Sequence, residues 1–199
     1  MGFELRPILA SLVDDPLPFL EHADPAVRRL AVSALHDRAN DIVPDLTRLL
    51  LTDPDPQVRA ESAEVIAAAG AAALQALDSA RGDEDERVIE AVATGYGEIA
   101  DPSAVPWLMS QAEAAASRQV REAAVASLGA IGDERCLPLL IRLAADSPPQ
   151  VRRRAVVALT VYNGPNVEAA IRAAASDRNP MVREAAEMVV GRAVDTGSP

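Results

Sequence analysis

The pair Val-Arg returns through this chain at nearly fixed spacing: Val27-Arg28, Val58-Arg59, Val120-Arg121, Val151-Arg152 and Val182-Arg183, with Val88-Ile89 in the one gap. Successive valines lie 31, 30, 32, 31 and 31 residues apart. A period of this size predicts a solenoid, a stack of units that each bury their apolar face only against their neighbours. The repeat overrides the ordinary expectation that 199 residues form one or two globular domains. It predicts one continuous stack over residues 1–194, with 195–199 as a disordered tail.

Asp133 to Gly164 serves as the type unit. Pro138 to Ala145 is an apolar helical segment, Asp146-Ser147-Pro148-Pro149 a turn, and Val151 to Leu159 a second helix closed by Asn163-Gly164-Pro165. Gly or Asn after a helix supplies a left-handed closing residue, and Pro prevents continuation. Each unit therefore reads as helix, turn, helix, turn. Aligned on their valines, the second helices carry Ala31, Ser62, Val92, Ala124, Ala155 and Ala186 four places on, and Leu35, Ile66, Tyr96, Leu128, Leu159 and Val190 eight places on. Offsets of zero, four and eight share one helical face, so these residues form the predicted core. The 40 alanines among 199 residues favour helix and close approach.

Asp24-Pro25, Asp55-Pro56, Asp85, Ser117, Ser147-Pro148 and Asn179-Pro180 precede the second helices. Asp, Ser and Asn cap the free N–H groups of a first turn, and Pro suits the first helical position. The second helices are predicted near 25–38, 56–69, 85–99, 118–131, 149–162 and 180–192. Residues 1–15 are predicted to form an N-terminal capping helix, and Pro16 to His22 a short first helix for the first repeat.

The pattern Asp-Pro-x-Val-Arg-x-x-Ala-x-x-x-Leu resembles the second-helix signature of HEAT repeats. Its period is similar to the short bacterial, phycobilin-lyase-like class of that family. The resemblance covers about residues 16–192 as six repeats. It implies an all-α fold, a right-handed α-solenoid of about six HEAT-like helical hairpins. It also implies that the Asp before each second helix and the Arg in its first turn form a ladder along the stack. Asp24 with Arg28 and Asp55 with Arg59 match that ladder fully. Arg121, Arg152 and Arg183 match its arginines, while Asp85 keeps the acid where Ile89 has replaced the arginine. The resemblance further implies that the second helices line a concave face that grips another protein.

Charge and composition exclude several classes of function. The net charge of −11 argues against generic binding to nucleic acid or to an anionic membrane. Residues 138–199 hold 8 arginines and 6 acids, whereas residues 1–137 hold 11 arginines and 24 acids. No apolar run approaches a membrane span, no signal sequence opens the chain, and Cys136 is the only cysteine. The expectation is a cytoplasmic protein without disulfides. All 19 basic residues are Arg, which reads as codon bias.

The sequence offers no catalytic, cofactor-binding or metal-binding set of residues. His22 and His36 are the two histidines, and Glu21-His22 is the one pair resembling those of the iron-dependent HEAT hydroxylases. No nucleophile elbow or phosphate loop is present. The run Asp83-Glu84-Asp85-Glu86 reads as capping and solubility. Repeat three departs most from the pattern: it loses its Arg, puts Tyr96 at a Leu position and carries Gly95 and Gly97 inside a helix. Interior glycines cost about 1 kcal/mol each, so either Glu90, Thr94 and Gly97 mark the centre of a groove or repeat three carries a packing irregularity.

The expected function is a non-catalytic protein-binding scaffold or adaptor without cofactor. Its expected contact residues are the exposed second-helix positions Arg29, Ser33, Glu61, Glu64, Glu90, Thr94, Glu122, Arg153, Arg154, Val157, Glu184 and Met188. The alternative is a small-molecule-binding protein or enzyme of the phycobilin-lyase-like type. Nucleic-acid binding ranks last.

Overall fold

A computed structural model describes residues 5–195, with side chains described from 10 to 189. Among the described residues every regular element is helical. Met1 to Glu4 of the expected capping helix, and all of the expected tail but Asp195, lie outside the described residues. By internal packing the chain divides into two compact units, Met1–Ile99 and Ala100–Pro199.

Unit 1 begins with α1 (Leu5–Asp14) and a short 3₁₀ turn, Leu17–Glu21. The second helices of its repeats are α2 (Pro25–Ala34), α4 (Pro56–Ala67) and α6 (Glu86–Ile99); α3 (Val43–Thr52) and α5 (Leu74–Ala80) are first helices. In unit 2 the first helices are α7 (Val105–Ala114), α9 (Leu137–Ala145) and α11 (Pro165–Ala174). Its second helices are α8 (Arg118–Ile131), α10 (Pro149–Ala158) and α12 (Pro180–Asp195). Within unit 1, α4 packs on both α2 and α6; within unit 2, α10 packs on both α8 and α12. First helices lie against the second helices of their own hairpins, giving each unit two helical layers.

The core follows the offsets of the repeat. Val27, Val58, Val88, Val120, Val151 and Val182 are all buried. So are Ala31, Ser62, Val92, Ala124, Ala155 and Ala186, and then Leu35, Ile66, Tyr96, Leu128 and Leu159. The Ser62 hydroxyl donates to the Val58 carbonyl at 2.8 Å, so this polar atom is not orphaned. Small residues bring helices very close. A Cβ placed on Gly129 of α8 would lie 2.8 Å from Ala158 Cα of α10.

Capping sets the helix starts. Asp24 and Asp55 accept from the N–H groups of Ala26 and Gln57 at 2.9 and 2.8 Å, and Asp85 accepts from Arg87 at 3.0 Å. Helix α8 ends on Gly132 with φ +69°, and Gly70 has φ +59° after α4. Ala100 occupies the same repeat position after α6 with φ +57°. A left-handed backbone that glycine adopts freely is there imposed on a residue with a Cβ.

Candidate functional site

The arginines of the Val-Arg pairs turn inward. Arg28 donates from Nε and Nη2 to the two carboxylate oxygens of Asp53, both at 2.7 Å. Arg59 forks onto Asp83 at 2.8 and 2.9 Å, and Arg152 onto Asp177 at 2.8 and 2.7 Å. A third donor of each reaches a main-chain carbonyl: Arg28 to His22, Arg59 to Asp53, Arg152 to Ser147. Asp53 thus takes one repeat's arginine on its carboxylate and the next repeat's arginine on its carbonyl. The bidentate fork raises the pKa of all three guanidiniums, the hydrogen-bonded carboxylate being the largest cause in each case.

This arrangement corrects the pairing implied by resemblance. The receiving acids are Asp53, Asp83 and Asp177, not Asp24, Asp55 or Asp85. Aspartates at the helix start are short and already spent on their own first-turn N–H groups. An arginine fork instead reaches the loop of the following repeat. The signal was present: an Asp stands five residues before Val58, Val88 and Val182. Arg121 and Arg183 form no such fork; they donate to the carbonyls of Ala112 at 3.2 Å and Asp177 at 2.8 Å. These side chains are thus engaged by the frame of the repeats.

The exposed positions are a different set. In unit 1 a groove of about 300 Å³ runs across α2, α4 and α6. Arg29, Gln57, Glu61, Glu64, Arg87, Glu90 and Thr94 form its walls, over Ala60 and Ala91. Relative to each repeat's valine these residues stand at offsets −1, +2, +3 and +6. Five of the expected contact residues meet here; Ser33 and Gly97 do not line the groove. Gln57 and Arg87 were missed, because the −1 position reads as part of the helix start. Arg29 donates to Gln57 at 2.9 Å, and Arg87 is held by Asp85 at 2.7 Å. Glu64 has its pKa raised, first by partial burial and then by the like charges of Glu61, Glu90 and Glu98. All of the protein's net charge of −11 belongs to residues 1–99, with 8 arginines and 19 acids; residues 100–199 hold 11 of each. The groove's own walls hold three glutamates, Glu61, Glu64 and Glu90, against two arginines, of which Arg87 is already paired with Asp85.

The same offsets in unit 2 hold the remaining expected residues. Arg153, Arg154 and Val157 stand on α10, Glu184 and Met188 on α12, and Glu122 on α8, where Arg118 pairs with it at 3.3 Å.

Two irregularities of repeat three, Gly95 and Tyr96, have a packing cause. A Cβ on Gly95 would meet Ala67 Cβ at 3.2 Å and Leu77 Cδ1 at 3.4 Å, so glycine lets α6 sit close to α4 and α5. Tyr96 is fully buried, with its hydroxyl donating to Asp78 and accepting from Arg81 Nε at 2.8 Å. His22 Nδ1 accepts from the Asp24 N–H at 3.0 Å, and Glu21 pairs with Arg48. No group of three or more His, Cys, Asp or Glu side chains converges as metal ligands among the described residues. No helix among them is long and apolar enough to cross a membrane.

Known proteins share this architecture. A curated relative, the deoxyhypusine hydroxylase of Candida albicans, is 34% identical over 95 residues, covering 47% of this chain and 30% of the hydroxylase. The chain thus spans under a third of that relative's length. Among solved structures, the CpcE–CpcF complex of phycocyanin lyase from Nostoc sp. PCC7120 has a TM-score of 0.68 at 21% identity, over 87% of this chain and 74% of that one. A designed armadillo repeat protein in complex with the peptide (KR)4 has a TM-score of 0.62 at 16% identity, over 90% and 98% of the two chains. The family model for HEAT repeats matches residues 13–95, 75–160 and 137–199. With its hairpins, buried valine beat and arginine rungs, the chain belongs to the HEAT-repeat family.

Proposed function

We propose that this protein is a non-catalytic protein-binding scaffold or adaptor, and that the groove of unit 1 seats a partner segment rich in Arg or Lys. One observation carries the reading: Glu61, Glu64 and Glu90 come from neighbouring second helices and line a single groove over alanines. Partly buried carboxylates that crowd one another gain from a bound cation, which relieves their repulsion and restores the solvation they have lost. The helices that hold them are fixed by core valines and arginine rungs, so little ordering cost falls on binding. Likeness to a repeat protein bound to (KR)4, and to a two-protein lyase complex, supports a protein partner.

Fluorescence anisotropy with a labelled alternating Lys-Arg peptide tests this. Saturable, salt-sensitive binding is expected, and Glu64→Arg or Thr94→Arg should reduce affinity by at least about tenfold. Unchanged affinity in both variants would overturn the reading.

The alternative, a small-molecule-binding protein or enzyme, draws on the lyase likeness. Affinity capture from the native cell separates the two: a stoichiometric protein partner supports the scaffold, and a recovered pigment or metabolite supports the alternative.

A further inference from the structure

The offsets that line the unit 1 groove are filled differently in unit 2. At +6 unit 1 carries Ser33, Glu64 and Thr94, whereas unit 2 carries Ala126, Val157 and Met188. On α10 and the turn after it, Val157 and Val161 are 45% and 54% exposed; on α12, Met181 and Met188 are 43% and 58% exposed. Helices α10 and α12 pack side by side, and Val157, Met181 and Met188 stand at offsets +6, −1 and +6, which in unit 1 line one groove. Exposed apolar groups gathered in this way mark contact surfaces, and methionine adapts its shape to what it meets.

Two arginines stand on the same face. Arg153 and Arg154 at +2 and +3 of α10 have no hydrogen bond or carboxylate partner among the described residues. Elsewhere in unit 2, Arg118, Arg135, Arg142 and Arg172 each face an acid, and Arg152 is locked on Asp177. The nearby carboxylate on α12 at these offsets is Glu184, one charge against two.

We propose that the α10–α12 face of unit 2 is a second docking surface, fitted to an acidic amphipathic segment of another protein. The segment's apolar side chains cover Val157, Met181 and Met188, and its carboxylates meet Arg153 and Arg154. Charge complementarity selects this occupant: a basic segment of the kind proposed for unit 1 would place its cations against the two free guanidiniums. This surface is separate from the unit 1 groove, and either assignment can fail without the other.

The test uses the full chain and a labelled amphipathic peptide of about five helical turns, with leucines on one face and glutamates on the other. A matched peptide carries lysines in place of the glutamates. Saturable binding of the glutamate peptide is expected. The Arg153→Glu/Arg154→Glu double variant and Met188→Asp should each weaken it by at least about tenfold. Because all three residues lie outside the core, the melting curves of these variants should match that of the parent. Glu64→Arg should leave this binding unchanged. Equal or tighter binding of the lysine peptide, no saturable binding, or indifference to both variants would overturn the proposal. So would concentration-dependent self-association abolished by Met188→Asp, which would make the occupant a second copy of this chain.

Discussion

Arg152 and Asp177 meet through two parallel N–H···O bonds, Nε to Oδ2 at 2.8 Å and Nη2 to Oδ1 at 2.7 Å, with the arginine only 1% exposed. Removing one partner of such a pair strands the other charge in a poorly solvated place. Arg152→Met should therefore cost about 3–5 kcal/mol in unfolding free energy by denaturant titration. The neighbouring Arg153→Met should stay within about 0.5 kcal/mol of the parent. Equal losses at the two positions would contradict the division between frame and surface.

Acid should loosen the same rungs. Asp177 is held below the ordinary carboxylate range by Arg152 and by the N–H of Asn179. Burial pushes Asp83 up, yet Arg59 and the N–H of Asp85 together bring it below that range. Arg87 and Arg135 hold Asp85 and Asp133 at about 2. A folded-state pKa below the unfolded value stabilises the fold above the unfolded value of about 3.9, and that stability is lost as pH falls through the folded one. Glu64, shifted upward, acts in the opposite sense. Tm should hardly change near neutrality and fall steeply from about pH 4 towards pH 2. Calorimetry of Asp177→Asn should show a lower Tm at neutral pH and a shallower acid limb; an acid limb as steep as the parent's would refute the assignment.

Ala100 holds a left-handed φ of +57° where Gly70 and Gly132 stand in the neighbouring repeats. The Cβ there costs about 1–2 kcal/mol in the folded state, while glycine's extra freedom raises the entropy of the unfolded chain. Steric relief should exceed the entropic loss, so Ala100→Gly should raise Tm slightly. A lower Tm in a thermal melt followed by circular dichroism would count against this.

Gly129 gives the opposite sign. Alanine is the better helix former by about 1 kcal/mol, but its Cβ would meet the Ala158 Cβ and Cα at 2.7 and 2.8 Å. Backbone on the facing helix does not yield as a side-chain tip does. Gly129→Ala should destabilise by about 1–3 kcal/mol, and an increase in denaturant midpoint would show that α8 and α10 can part freely.

The core was legible because helix period alone places offsets zero, four and eight on one face. Val27 to Val182 and their partners needed no knowledge of what lay across from them. The rungs were less legible. The family resemblance implies Asp55 beside Arg59, yet the guanidinium reaches Asp83 in the next repeat's loop. Only a comparison across repeats brings the two into register. The groove was half legible: Glu61, Glu64, Glu90 and Thr94 follow from exposure on the second helices. Gln57 and Arg87 emerge only when three helices are laid side by side. The space beside Gly95 is filled by Ala67 and Leu77, a close approach of helices that only the facing residues reveal.

The valine, alanine and leucine offsets, zero, four and eight, are distinct from −1, +2, +3 and +6, where only Ala60, Ala91 and Ala185 are buried among the described residues. Replacements at the exposed residues of the latter offsets should therefore leave packing untouched and carry little risk to folding. Recognition can drift, duplicate or be re-engineered one helix at a time while the frame stays as it is. Two units with the same skeleton, one acidic and the other balanced in charge, are the outcome such freedom permits.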